Sequence, residues 1–203
     1  MLIPLKHIVD KYNINIKGII HIGAHNCQEE DSYSWYCTDV LWIEGNENIV
    51  KRQNKSNLYH VLVSDKDDEY VDFHISNNEQ SSSILHLGTH KQQHPSVKYV
   101  STVKMKTKRI DTFYKEHDIQ NDAFNFVTLD IQGMELKALE SFGDILKHVD
   151  YIYTEVNRNY TYIDCALVED IDSYLDKYNF KRIETKWASA NMSWGDAFYI
   201  KMV

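Results

Sequence analysis

Residues 18–35 read GIIHIGAHNCQEEDSYSW, an unbroken apolar run that turns polar just past a single glycine, Gly23. Such a run fits a strand buried on both faces of a parallel sheet, and the polar segment from Gln28 to Tyr36 fits a helix. The alternation then repeats. DVLWIEGNE (39–47) predicts a second strand ending at Glu44, NENIVKRQNKS (46–56) a helix, and LYHVLVS (58–64) a third strand. With a short amphipathic helix over Leu5 to Tyr12 in front, this pattern argues for a doubly wound α/β sheet.

The middle of the chain is less regular. EYVDFHIS (69–76) alternates with period two, NNEQSSSIL (77–85) is a polar loop, and VKYVSTVKMKTKRI (97–110) holds another alternating strand. Regularity then returns. IDTFYKEHDI (110–119) reads as helix, FNFVTLDIQG (124–133) as a strand running into a turn, and MELKALESFGDIL (134–146) as a helix with Leu136, Leu139 and Phe142 on one stripe. VDYIYTEVN (149–157) reads as the fifth main strand, and Asp164 is the candidate cap of a helix running to about Lys177. FKRIETKWA (180–188) and WGDAFYIKMV (194–203) can close the chain as an antiparallel hairpin. The expected organisation is one domain over residues 1–203, with residues 66–108 as an inserted lobe or sheet edge.

Composition narrows the function classes. The formal net charge of −8, from 30 acidic and 22 basic residues, removes a general attraction to nucleic acid. A basic stretch, VKMKTKR, reads as a solvated strand edge. Cys27, Cys37 and Cys165 are odd in number and form no C-x-x-C pair, which fits thiols in a reducing compartment. No window has the 18 or more apolar residues that a membrane span needs, and the first residues lack a signal-peptide run. The expectation is a cytoplasmic protein without membrane insertion or a nucleic-acid partner, with a homodimer left open.

In open α/β sheets ligands bind beyond the carboxyl ends of the strands. Polar residues gather at those ends here: Gly23 after the first strand, Glu44 at the second, Asp130 after the fourth, Glu155 and Asn157 on the fifth. Gly23 and Ala24 permit close backbone approach, but residues 23–28 read GAHNCQ rather than G-x-G-x-x-G, which counts against a dinucleotide. Glu44, 21 residues past Gly23, either accepts hydrogen bonds from ribose hydroxyls or merely starts the following helix. Asp130, Glu155 and Asn157 supply oxygens to a hard divalent cation, with Mg2+ as an optional cofactor, or else Asp130 caps the following helix or holds substrate without metal. His25, in the loop at the ligand face, is the runner-up base to Asp130. His21 reads as a hydrogen-bonded core residue, and no G-x-S-x-G elbow or cysteine context suggests covalent catalysis.

The segments IIHIGAHNCQEE, VLWIEGNENIV, YHVLVSDKDDEYVDFHIS, KRIDTF and FVTLDIQGMELKALES, in this order and spacing, resemble the FkbM family of S-adenosylmethionine-dependent methyltransferases from about residue 16 through 160. The resemblance implies a Rossmann-like class I methyltransferase fold, with a seven-stranded, mostly parallel sheet and an antiparallel C-terminal hairpin. It implies Gly23 and Ala24 near the methionine part of the cofactor, Glu44 on its ribose, Ser64 and Asp65 near its adenine, and Ser82 in a serine-containing loop. Asp130 and Gly133 match the family's KIDVEG-like segment, whereas Thr128 and Gln132 replace its lysine and glutamate, and His21 replaces a usual acid. The implied activity is O-methylation of a sugar or glycan hydroxyl. A lipid or secondary-metabolite acceptor and a noncatalytic interaction protein are the alternatives. Tyr160, Tyr162, Trp187 and Trp194 are candidates to stack on a sugar ring or, equally, to anchor the core on the terminal strands.

Overall fold

The first strand, β1, spans Ile19–Ile22, follows α1 (Leu5–Tyr12), and leads through a turn into α2 (Glu30–Ser34). In the computed structural model, which describes residues 1–202, β2 (Val40–Glu44), α3 (Glu47–Gln53) and β3 (Leu58–His60) follow as the sequence predicts. The helix expected over residues 28–36 is shorter. His25 and Cys27 adopt left-handed backbone conformations, at φ 42° and 54°, so residues 25–29 turn instead of extending the helix.

The expected third strand breaks in two. Leu58–His60 joins the main sheet, whereas β4 (Leu62–Val63) pairs in parallel with a different strand. That partner is β6 (Tyr99–Lys108), which also pairs antiparallel with β5 (Tyr70–Ser76), so β4, β6 and β5 form a separate three-stranded sheet. Between β5 and β6 lies α4 (His90–Gln93), a helix that no periodicity signals. The lysines of the basic stretch face acids: Lys104 pairs with Asp72, Lys106 with Asp68 and Lys108 with Glu116.

The second half returns to the main sheet with α5 (Ile110–Glu116), β7 (Phe126–Leu129), α6 (Glu135–Phe142), a 3-10 turn (Gly143–His148), β8 (Tyr151–Asn157), α7 (Val168–Asp176), β9 (Phe180–Trp187) and β10 (Trp194–Lys201). Its strand order is β3-β2-β1-β7-β8-β10-β9, parallel through β8 and closed by antiparallel β10 and β9. Asp164 does not cap α7. The helix starts at Val168, where the Asp170 carboxylate accepts from the Leu167 amide at 2.9 Å, and Asp164 turns the chain earlier at φ 62°.

Successive strand residues point to opposite faces, and each face is buried. Ile20, Ile22, Val127, Leu129 and Ile152 pack with Phe113, Leu139, Phe142 and Leu175 on one side. Ile19, Trp42, Phe126, Tyr153 and Phe198 pack with Leu5, Ile8 and Tyr33 on the other. Within the second layer the Tyr33 hydroxyl lies 3.0 Å from both His21 Nδ1 and Thr128 Oγ1. Burial lowers the His21 pKa to about 4, so the ring is neutral at neutral pH. Tyr33→Phe leaves two buried groups without a partner and is expected to cost about 1–3 kcal/mol of stability. Urea unfolding measures this directly, and an unchanged midpoint at equal slope would show that the hydroxyl stabilises nothing.

Candidate active site

The carboxyl ends of β1, β2, β7 and β8 open into a cavity of about 520 Å3, within the size range of small-molecule sites. Gly23, Ala24, His25, Glu44, Ser82, Asp130 and Glu155 line it; Ser64, Asp65 and Asn157 do not. Gly23 is required by packing: it sits at φ 88°, and a Cβ there would meet the Asp130 carbonyl oxygen at 1.9 Å. This close approach brings the turns after β1 and β7 together.

Glu44 is buried, and its two carboxylate oxygens are fixed separately. Oε2 accepts from the His25 amide at 2.8 Å, and Oε1 accepts from the Asn46 amide at 2.7 Å. Each oxygen keeps a lone pair for a second donor. Burial raises the Glu44 pKa, opposed by these backbone N–H groups. His25 belongs to this end of the cavity by its backbone bond. Its ring lies 4.0 Å from Glu79, both ring nitrogens lack hydrogen-bond partners among the described residues, and burial lowers its pKa.

Asp65 is turned away from the cavity because its carboxylate is held by Lys137 at 2.9 Å and by the Ser64 hydroxyl at 3.1 Å. Leu62 and Val63 supply the wall from that segment instead. Ser82 lines the cavity with its hydroxyl spent on its own loop, donating to the Glu79 carbonyl at 2.6 Å.

At the β7–β8 end, Gln132 Nε2 donates to Asp130 Oδ1 at 2.6 Å and to Glu155 Oε2 at 3.0 Å. Tyr162 donates to Gln132 Oε1 at 2.5 Å, which fixes the amide's orientation. Gln132 is left-handed at φ 56°, a conformation held by the Ser83 hydroxyl, which donates to the Gln132 carbonyl at 2.7 Å. Glu135, buried beneath, accepts from Gly133 N at 3.0 Å and Ile131 N at 3.1 Å.

Burial, with Asp196 as a second cause, raises the Asp130 pKa to about 6. Burial and the Asp130 charge push Glu155 well above the carboxylate range. Asp130 is packed round by protein but exposed through the open cavity, so water screens its shift until a ligand fills the space. Burial also raises Glu135, to about 7.

These residues do not fit the expected cation site. The Gln132 amide nitrogen stands between the two carboxylates, where a cation would bridge them. Asn157 is buried off the cavity, and neither amide atom is hydrogen-bonded among the described residues. Among the described residues no three His, Cys, Asp or Glu side chains gather as a metal site.

The remaining wall includes His90, His94, Thr161 and Trp194. Gly88 seats α4 there, since a Cβ at this position would meet the Tyr160 carbonyl at 2.3 Å. Of the four aromatic candidates only Trp194 lines the cavity. Tyr162 is buried on Gln132, Tyr160 is exposed, and Trp187 lies under the Arg158 guanidinium at 4.8 Å. His90 is buried, its Nδ1 lacks a partner among the described residues, and burial lowers its pKa to about 4. Sequence reasoning missed Gln132, Glu135 and His90 as functional candidates. The substitution at 132 was the available signal for the first, and nothing local marks the other two.

A family model described as the methyltransferase FkbM domain matches residues 21–182. The chain belongs to the FkbM family of S-adenosylmethionine-dependent methyltransferases. The FkbM match spans every strand-end residue around the cavity. Solved structures share the fold at low identity. An S-adenosylmethionine-dependent methyltransferase from Clostridium acetobutylicum aligns over 97% of this chain and 89% of its own, at 6% identity and TM-score 0.52. Magnesium protoporphyrin IX methyltransferase from Synechocystis, bound to S-adenosylhomocysteine, aligns over 97% and 79%, at 9% identity and TM-score 0.51. The N-methyltransferase NodS from Bradyrhizobium japonicum aligns over 96% and 90%, at 8% identity and TM-score 0.50. No curated protein matches the chain. Among the described residues no helix is long and apolar enough to cross a membrane.

Proposed function

We propose that this FkbM-family enzyme methylates a hydroxyl of an uncharged sugar or glycan. The observation that carries the reading is the cavity's charge. Glu29, Glu44, Glu79, Asp130 and Glu155 line it together with His90, His94, Thr161 and Trp194, and among the described residues no lysine or arginine does. Such a lining favours a cationic methyl donor and a neutral, hydroxyl-rich acceptor, and it disfavours phosphorylated or nucleotide-linked sugars. An indole face suits a sugar ring, while neutral His90 and Thr161 can read its hydroxyls. We read the chain as one domain whose 66–108 lobe delivers His90 and Ser82 to this cavity.

The residues fit S-adenosylmethionine. Buried Glu44 has acceptor capacity left for both ribose hydroxyls, and the orphaned His25 ring beside it faces the same space. When bound, the cofactor supplies a methyl group on a sulfonium, which departs as a neutral thioether. Asp130 takes the acceptor hydroxyl's proton, and the Gln132 amide, bonded to both Asp130 and Glu155, holds its carboxylate in place. The walls fix the attack geometry, which provides much of the acceleration in transfer between two bound groups. His25, at the Glu44 end, is assigned to cofactor contact rather than to proton transfer.

Mass spectrometry of neutral methyl glycosides and of nucleotide sugars after incubation with S-adenosylmethionine tests the acceptor class. Methylation confined to nucleotide sugars would overturn it. Asp130→Asn is expected to lower kcat by roughly 10²–10⁴-fold. The wild-type rate should rise with pH through about 6, because the base works only when deprotonated.

A further inference from the structure

His90 opens α4, the short helix of the 66–108 lobe, and lines the cavity. It is 5% exposed, and no other residue among those described hydrogen-bonds its imidazole. Its neighbours on that wall bond one another. Thr161 Oγ1 lies 2.7 Å from Ser193 Oγ, Thr89 Oγ1 lies 3.0 Å from the same oxygen, and Ser193 Oγ donates to Gln93 Oε1 at 2.9 Å. A buried polar group without a partner costs stability, and a ligand group that pairs with it on binding offsets that cost.

The place of His90 is fixed, and it is tied to that of Asp130. The His90 amide donates to the Thr161 carbonyl at 3.2 Å, the Gly88 amide to the same carbonyl at 2.9 Å and the Thr89 amide to the Tyr160 carbonyl at 2.9 Å, which seats α4 on the segment after β8. The His90 ring packs against the Tyr162 ring, with centroids 5.5 Å apart. The Tyr162 hydroxyl donates to Gln132, whose Nε2 in turn holds Asp130 at 2.6 Å. One tyrosine therefore supports both the proton-accepting carboxylate and the lobe histidine. Burial, with His94 as a second cause, keeps the imidazole neutral. A neutral imidazole has one donor and one acceptor nitrogen, so a hydroxyl, which both donates and accepts, matches it in either tautomer.

We propose that His90 is a specificity residue that pairs with a second hydroxyl of the acceptor, so that the enzyme selects a diol: the hydroxyl at Asp130 is methylated and the one at His90 fixes the acceptor's register. This rests on a hydroxyl-bearing acceptor binding beside Asp130, and it adds a demand that the cavity's charge does not make. The test compares kcat/KM for a methyl glycoside and its monodeoxy analogues in the wild type, His90→Phe and His90→Gln. In the wild type, one analogue that still carries the methylated hydroxyl should lose roughly 10–100-fold. His90→Phe should lose a similar factor on the full glycoside and almost nothing further on that analogue, because both changes remove the same hydrogen bond. His90→Gln keeps a donor and an acceptor and should recover part of the loss.

Equal losses from His90→Phe on the glycoside and on every deoxy analogue overturn the assignment and would make His90 a support for Tyr162 and Gln132 only. No loss on any of them overturns it too, as does a monohydric alcohol methylated as fast as the glycoside. If nucleotide sugars prove the only substrates, the acceptor class of the proposed function falls, while the same comparison on their deoxy analogues still decides the role of His90.

Discussion

Gln132→Glu is expected to cost about 2–5 kcal/mol of folding stability above pH 7, because it exchanges the one donor between two carboxylates for a third acceptor. The donor's two bonds, 2.6 Å to Asp130 and 3.0 Å to Glu155, would be replaced by like-charge contacts. Tyr162 would still donate to the new carboxylate, so the side chain stays aimed at its neighbours. The cost must depend on pH in one direction. Crowded carboxyls have folded-state pKa values above their unfolded values, so the stability is intact at low pH and is lost as pH rises.

Urea unfolding of both proteins at pH 5 and pH 8 reads this as a gap that widens with pH. The same variant has carboxylates where the wild type has an amide, and divalent manganese should narrow its gap at pH 8 while leaving the wild type unchanged. If manganese stabilised the wild type and Asp130→Asn removed the effect, the amide would not be what keeps a cation out.

Glu44→Ala is expected to weaken S-adenosylhomocysteine by roughly 10²–10⁴-fold, since two hydrogen bonds to a charged group are each worth about 1.5–3 kcal/mol. It also strips the acceptor from the amides of His25 and Asn46. A fall in stability of about 1–3 kcal/mol should accompany the loss of affinity. Glu44→Gln retains one acceptor oxygen and should fall between the two in calorimetric titration. Wild-type affinity in Glu44→Ala would show that the ribose lies elsewhere, and the unfolding measurement would then report only the structural role.

The strands and most of the helices were legible because burial on both sheet faces imposes long apolar runs, as in GIIHIG and FNFVTL, and each run ends where the backbone must meet solvent or ligand. Glu44 and Asp130 were legible for the same reason, as polar side chains directly after such runs. LYHVLVS misled because its pattern is continuous while its hydrogen bonds are not: two residues after His60 the chain leaves one sheet for another. Asp65 misled because Lys137, 72 residues away, decides which way its carboxylate points.

Sequence by itself determined the order of strands and helices, the family and the placement of acids at strand ends, since these follow from local periodicity and from residues at fixed spacing along the chain. Only the tertiary structure decided which acids are free. Whether a carboxylate binds a ligand or a neighbour depends on donors from distant segments: Gln132 braced by Tyr162 and Ser83, Glu79 claimed by Arg52, and Glu29 set 3.7 Å from the Met1 amine. Hydrogen bonds form between atoms within about 3 Å in space, and spacing along a chain does not encode that distance until the fold has closed.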